Sequence, residues 1–127
     1  EKPALRRIAS PVEISNNYLA VMRNNSALDA LGAMLKLSVS QANDGGVPGL
    51  GASALKLVYT ELYQRITELA VRLLGRAGLS LDDVDGLPCA DITGSYLQSL
   101  SLTIAAGSSQ IQRNIIGERI LGLPKDR

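Results

Sequence analysis

Histidine, tryptophan and phenylalanine are absent from this sequence, and cysteine occurs once, at Cys89. Without His and with one Cys, zinc sites, Ser-His-Asp triads and Cys-His dyads are all excluded in one step. A lone Cys also rules out an internal disulfide, so a reducing, cytoplasmic setting is expected. Four Tyr are the whole aromatic complement, which leaves almost nothing for bases to stack on. A charge of one sign is lacking too. Lys and Arg total 13 against 12 Asp and Glu, and they are scattered, so no basic footprint for nucleic acid exists. No apolar run reaches the ~20 residues of a membrane span, and no signal-peptide pattern opens the chain. Neither nucleic acid nor membrane is an expected partner.

What is present is aliphatic and helical. The 127 residues suit one domain, and Leu, Ile, Val and Ala must build its core. Over Glu13 to Ser40, the spacing of Ile14, Tyr18, Met22, Leu28, Leu31 and Leu35 predicts a long helix. Ser26 and Asp29 lie near its middle, either as a capping pair that restarts it or inside one continuous element. The stretch "ANDGGVPGLG" (42–51) is rich in Gly and holds a Pro, so it reads as a loop. Ala52 to Leu74 gives the clearest helix. Leu55, Leu62, Ile66, Leu69 and Leu73 form its apolar stripe, and Glu61/Arg65 and Glu68/Arg72 are expected as ion pairs one turn apart. "GRAG" (75–78) ends that helix, "SLDD" from Ser80 is expected to cap a short turn, Asp82, Asp83 and Asp85 form a solvated acidic loop, and a short helix is expected from about Asp91 to Ser101. Leu102 to Ser109 reads as an extended turn. Ser108 or Ser109 then caps a last helix carrying Ile111, Ile115, Ile116 and Ile120, stopped by Gly122 and Pro124. The predicted fold is all-α, a bundle of three to four helices.

Two places carry candidate chemistry. "AAGSS" (105–109) before the last helix offers backbone N–H groups and small side chains, which let a phosphate or planar ring approach closely. An ordinary capped helix produces the same spacing. Arg72 and Arg76 with Gly75 and Gly78 offer an anion site at the end of the second helix, but they equally fit a helix C-terminus with its dipole complemented. No carboxylate stands out as a general base. Part of the aliphatic surface is apt to remain uncovered, which makes an oligomer interface plausible.

The segment "IAAGSSQIQRNIIGERILGLPKD" (104–126) resembles the C-terminal signature of the acyl-CoA dehydrogenases, in which a Gly-Thr-Ser-x-Ile-Gln-Arg run opens the last helix and an Ala/Gly-Glu-Arg-x-Leu-Gly segment closes it. "GASALKLVYTELYQRITELAVRLLGRAGL" (51–79) is similar to the penultimate long helix of that family, including Ser53 and Lys56. The resemblance covers about Gly51 to Lys125 well and the first fifty residues loosely. It implies that residues 1–127 are a C-terminal helical domain whose N-terminal and middle domains lie outside this sequence. The opening Glu1, in place of Met, agrees.

The resemblance further implies an FAD cofactor, an acyl-CoA substrate undergoing α,β-dehydrogenation, an electron-transfer partner, and a homo- or hetero-oligomer. Gly107 and Ser108 would lie against the flavin and Gln110 near it, Ser108 keeping the hydroxyl of the usual Thr. Arg72 and Gly75 fall in the segment that contacts the neighbouring subunit's flavin. There Arg72 replaces a common Gln and Arg76 a common Gly, so Arg72 is left either to pair with a phosphate or to do nothing. Ala106 stands where many members place the catalytic Glu, and a methyl group accepts no proton. No catalytic residue is therefore assigned, and the domain alone is expected to be inactive. The base would come from an earlier helix, or the parent would be a non-catalytic partner subunit; a bare helical interaction module is the third reading.

Overall fold

A computed structural model describes residues 11–45 and 50–125. It contains four α-helices: α1 (Pro11–Asn43), α2 (Leu50–Leu74), α3 (Cys89–Leu102) and α4 (Ser109–Ile115). A 3₁₀ turn, Gly75–Leu79, follows α2, and a π-helical turn, Ile116–Ile120, extends α4. Among the described residues there is no strand, only a single bridge between Val84 and Leu87 across a left-handed turn at Asp85 and Gly86. The all-α expectation holds. No helix among the described residues is long and apolar enough to cross a membrane.

α1 is one helix without a break. Ser26 lies inside it and donates to the Met22 carbonyl at 3.2 Å, the back-bonding a mid-helix hydroxyl uses when it is not a cap. The predicted loop is shorter than expected at both ends, since α1 runs to Asn43 and α2 starts at Leu50. Residues 46–49 of that loop, the opening ten residues and the Ile14 side chain lie outside what is described.

The face that α1 turns to α2 is not the one its large apolar residues mark. Its half-buried positions include Asn17, Ala20, Asn24, Ala27, Leu31, Met34 and Ser38, spaced alternately three and four, the period of a packed helical seam. Tyr18, Met22, Leu28 and Leu35 are exposed. Of the expected stripe Leu31 is half-buried in this seam, which small residues such as Ala20 and Ala27 otherwise let approach closely.

α2 buries Leu62 and Leu69, while Leu73 at the end of the expected stripe is 52% exposed. Its partners inside the domain are largely hydroxyls. The Thr67 hydroxyl, which reaches back to the Tyr63 carbonyl (3.0 Å), lies 3.2 Å from that of Ser99 on α3, and Ser99 donates to Tyr96 at 2.6 Å. The buried Thr67 and Ser99 hydroxyls are thus satisfied locally and across the interface, as burial demands. Of the two expected ion pairs, Glu68 and Arg72 lie at 3.7 Å, but Glu61 pairs with Arg113 of α4 instead of Arg65. A tertiary partner displaces the neighbour one turn away.

The α2–α3 connection depends on Gly78. A Cβ there would sit 2.6 Å from the Val71 carbonyl oxygen, and the Gly78 carbonyl accepts from Thr93 of α3 at 3.1 Å. The acidic loop is more than solvated charge, since Asp83 accepts from the Ala90 N–H at 3.2 Å and so caps α3. α3 consequently begins at Cys89, earlier than expected, with Cys89 fully buried.

Leu62 is 1% exposed, so Leu62→Ala is expected to destabilise the folded protein by about 3 kcal/mol through lost burial plus a cavity. Leu73→Ala is expected to cost under about 1 kcal/mol. Urea unfolding of both variants checks the contrast.

Candidate functional site

The segment from Thr103 to Ser108 decides where α4 begins and what it presents. Where an extended turn was expected, the chain makes a tight turn that goes left-handed at Ala106 and Gly107 before Ser108 becomes extended. The Ile104 and Ala105 N–H groups return to the Ser101 carbonyl at 3.1 and 2.9 Å, after which Ala106 and Gly107 take φ of +54° and +94°. A left-handed residue with a Cβ costs roughly 1–2 kcal/mol, so Ala106 stays there only because neighbours hold it.

Two side chains do the holding. Lys56 of α2, 51 residues distant in sequence, donates from Nζ to the Gly107 carbonyl at 2.7 Å. Gln112 of α4 donates from Nε2 to the Ala106 carbonyl at 3.0 Å. Gln112 is 6% exposed, and its Oε1 is buried without a partner among the described residues. A Cβ on Gly107 would lie 2.8 Å from Gln112 Nε2, so the clamp closes only over glycine.

Ser108 then leaves the turn in an extended conformation and caps α4. Its hydroxyl oxygen accepts from the Ile111 N–H at 3.4 Å, and its carbonyl accepts from Gln112 N at 2.9 Å. This settles the choice between Ser108 and Ser109 as cap. Gln110 is exposed on the first turn. Further along, Arg113 forms the ion pair with Glu61 that fastens α4 to α2.

Gly107, Ser108 and Gln110 therefore come together on one rigid turn. Arg72 and Gly75 do not join them. Lys56 and Arg72 are sixteen residues apart on the same helix, about 24 Å at 1.5 Å per residue. Arg72 is 67% exposed in its side chain and its partner is Glu68; Gly75 ends α2 at φ +60° with open space around it. The sequence reading met Gln112 only as a letter in the matching signature and Lys56 only as a letter in a matching helix, and gave neither a role. For Gln112 a signal existed, because it stands four residues after the capping Ser108 and so projects back over the turn. For Lys56 there is no local signal.

Ala106 is exposed, and the ionisable side chain bonded to the turn among the described residues is Lys56. The turn can offer hydrogen-bond donors and a small, close surface. It offers no proton acceptor of its own.

Comparison with known proteins agrees with the segments described above. The family model described as "Acyl-CoA dehydrogenase, C-terminal domain" matches residues 15–121. Acyl-CoA dehydrogenase IpdE1 of Mycolicibacterium smegmatis is 39% identical over 71 residues, 56% of this chain and 17% of that protein. Its Mycobacterium tuberculosis namesake is 37% identical over 71 residues, 56% of this chain and 18% of the relative. Acyl-CoA dehydrogenase FadE26 of M. tuberculosis is 32% identical over 110 residues, 86% of this chain and 28% of the relative. The chain thus spans less than a third of the length of the curated relatives it matches. No solved structure gives a significant match.

Gly107→Ala meets both a left-handed φ and the Gln112 amide, and is expected to lower stability by about 2–3 kcal/mol. Gly75→Ala shares only the φ penalty and is expected to cost about 1 kcal/mol. Thermal and urea denaturation of the two variants side by side measures the difference.

Proposed function

The chain belongs to the acyl-CoA dehydrogenase family, and on that premise we propose that it is the C-terminal helical domain of a longer, flavin-dependent acyl-CoA dehydrogenase. The parent would carry out α,β-dehydrogenation of an acyl-CoA thioester, and this domain would contribute flavin contacts and subunit interface. The observation that carries the reading is the clamped left-handed turn of Ala106 and Gly107 leading into a capped α4.

FAD suits the residues present. Ala106 and Gly107 put no bulk on the turn, the Ser108 hydroxyl accepts within its cap and so keeps its proton to donate, and the Gln110 amide is exposed. Gly107, Ser108 and Gln110 would hold one flavin. Arg72 and Gly75, toward the end of α2 remote from Lys56, would face the flavin of a neighbouring subunit. When bound, the flavin supplies an acceptor for the hydride that leaves the substrate β-carbon, and an electron-transfer partner reoxidises it.

The chain's own residues orient and exclude; they do not take the α-proton. Ala106 has only a methyl group where the family's carboxylate is common, so that proton must pass to a carboxylate outside this sequence. The same observation favours a second reading, in which the parent is the non-catalytic member of a hetero-oligomer. On either reading the domain by itself is inactive.

The test uses the full-length polypeptide purified with any co-purifying subunit. Its flavin absorbance is recorded before and after anaerobic addition of a panel of acyl-CoA thioesters. Bleaching by at least one thioester is expected. Bound flavin that no thioester bleaches would transfer support to the non-catalytic reading, and absence of flavin from every assembly would overturn both.

A further inference from the structure

Fixing a carbonyl also fixes the N–H of the same peptide, because the planar trans unit points the two in opposite directions. In the turn before α4, the Ala106 carbonyl is tied by Gln112 and the Gly107 carbonyl by Lys56. The N–H groups on the far side of those two peptides belong to Gly107 and Ser108, and neither has a hydrogen-bond partner among the described residues. The turn is therefore one-sided, with its acceptors drawn into the protein and its donors left outward beside the Ser108 hydroxyl.

We infer that Lys56 and Gln112 are positioning residues for the flavin-facing turn, clamping the Ala106 and Gly107 carbonyls so that the Gly107 and Ser108 N–H groups are held toward the cofactor. This rests on the flavin reading above. Several features separate the arrangement from ordinary packing. Lys56 is half-buried, and among the described residues its ammonium bonds this one backbone oxygen, 51 residues away. A charged donor strengthens such a bond and polarises the peptide it joins, which makes the Ser108 N–H a better donor. Gln112 keeps a buried Oε1 without a partner among the described residues while its Nε2 serves the turn. Both neighbouring residues hold positive φ, a geometry the turn would not keep unaided. Arg113, one residue beyond Gln112, ties α4 to the same helix that carries Lys56, so turn and helix are referenced to α2 as a unit.

The experiment is made on the full-length, flavin-loaded protein, with dissociation of added FAD and the flavin visible spectrum as readouts and the melting temperature recorded alongside. Lys56→Met keeps the aliphatic stem and removes the donor, Lys56→Arg restores a charged donor, and Gln112→Met breaks the second tie independently should Lys56→Met fail to fold. Leu62→Ala is the control, lowering stability from a position that does not touch the turn. Lys56→Met and Gln112→Met are expected to weaken FAD binding about tenfold or more, about 1.4 kcal/mol, and to shift the flavin bands. Lys56→Arg is expected to stay near wild type in both, and Leu62→Ala to bind FAD normally below its melting temperature. Unchanged FAD binding and spectrum in Lys56→Met or Gln112→Met would overturn the inference alone. So would equal loss in Lys56→Arg, or equal loss in Leu62→Ala. A wild-type protein that holds no flavin would overturn the functional reading and this inference with it.

Discussion

Among the described residues every other helix packs on α2, and α1, α3 and α4 make no close backbone approach to one another. That constraint organises the domain. One face of α2 receives the small-residue seam of α1, another meets α3 through Thr67 and Ser99, and a third holds the turn and α4 through Lys56 and Glu61. A hub of this kind makes α2 the common reference for the parts around it. The position of the turn before α4 is consequently a property of α2 as much as of the turn.

The residues buried most deeply around the hub are polar as well as aliphatic. Among the described residues, those buried deeply include Thr60, Thr67, Thr93, Ser99 and Gln112 beside Leu62, Leu69 and Cys89. Hydroxyls that bond their own helix's carbonyls, as Thr60 and Thr67 do, leave little polarity unsatisfied and let a second helix come close. The cost of this economy is aliphatic surface left outside. Tyr18, Leu19, Met22 and Leu35 on α1 and Leu97 on α3 are exposed, and such surface is usually covered by something in a working assembly.

Helix existence was legible in the sequence because periodicity and punctuation agree there: α2 and its end at Gly75 follow from the Leu62 and Leu69 spacing and from "GRAG". The facing side of α1 was not legible, since hydrophobic size marks Tyr18 and Met22 while the contact runs through Ala20, Asn24 and Ala27. Period alone gives a helix, and neighbours decide its orientation. The Ser108 cap and the glycine at 107 could be read locally, and the family resemblance rested on them. The grip of Lys56 on the Gly107 carbonyl could not, because nothing within 51 residues of chain announces which end of α2 meets the turn. Asp83 was misread for the related reason that a cap seven residues from the N–H it accepts looks like loop charge until the chain folds back.

The position of Ala106 ties these threads together. Its backbone keeps the left-handed conformation, φ +54°, although no side-chain chemistry at that position needs it. If the turn existed only to aim a carboxylate, an alanine there would leave a strained backbone with nothing to aim. The clamps from Lys56 and Gln112 act on carbonyls, not on the side chain of residue 106, so they hold the turn whichever residue stands there. On the proposed reading, flavin contact and proton transfer are thus separable duties: the backbone of 106–108 serves the first in this chain, and the second passes to a carboxylate elsewhere. Such a separation lets a subunit give up its base and still complete a flavin site, which is why both the catalytic and the partner readings remain compatible with one and the same turn.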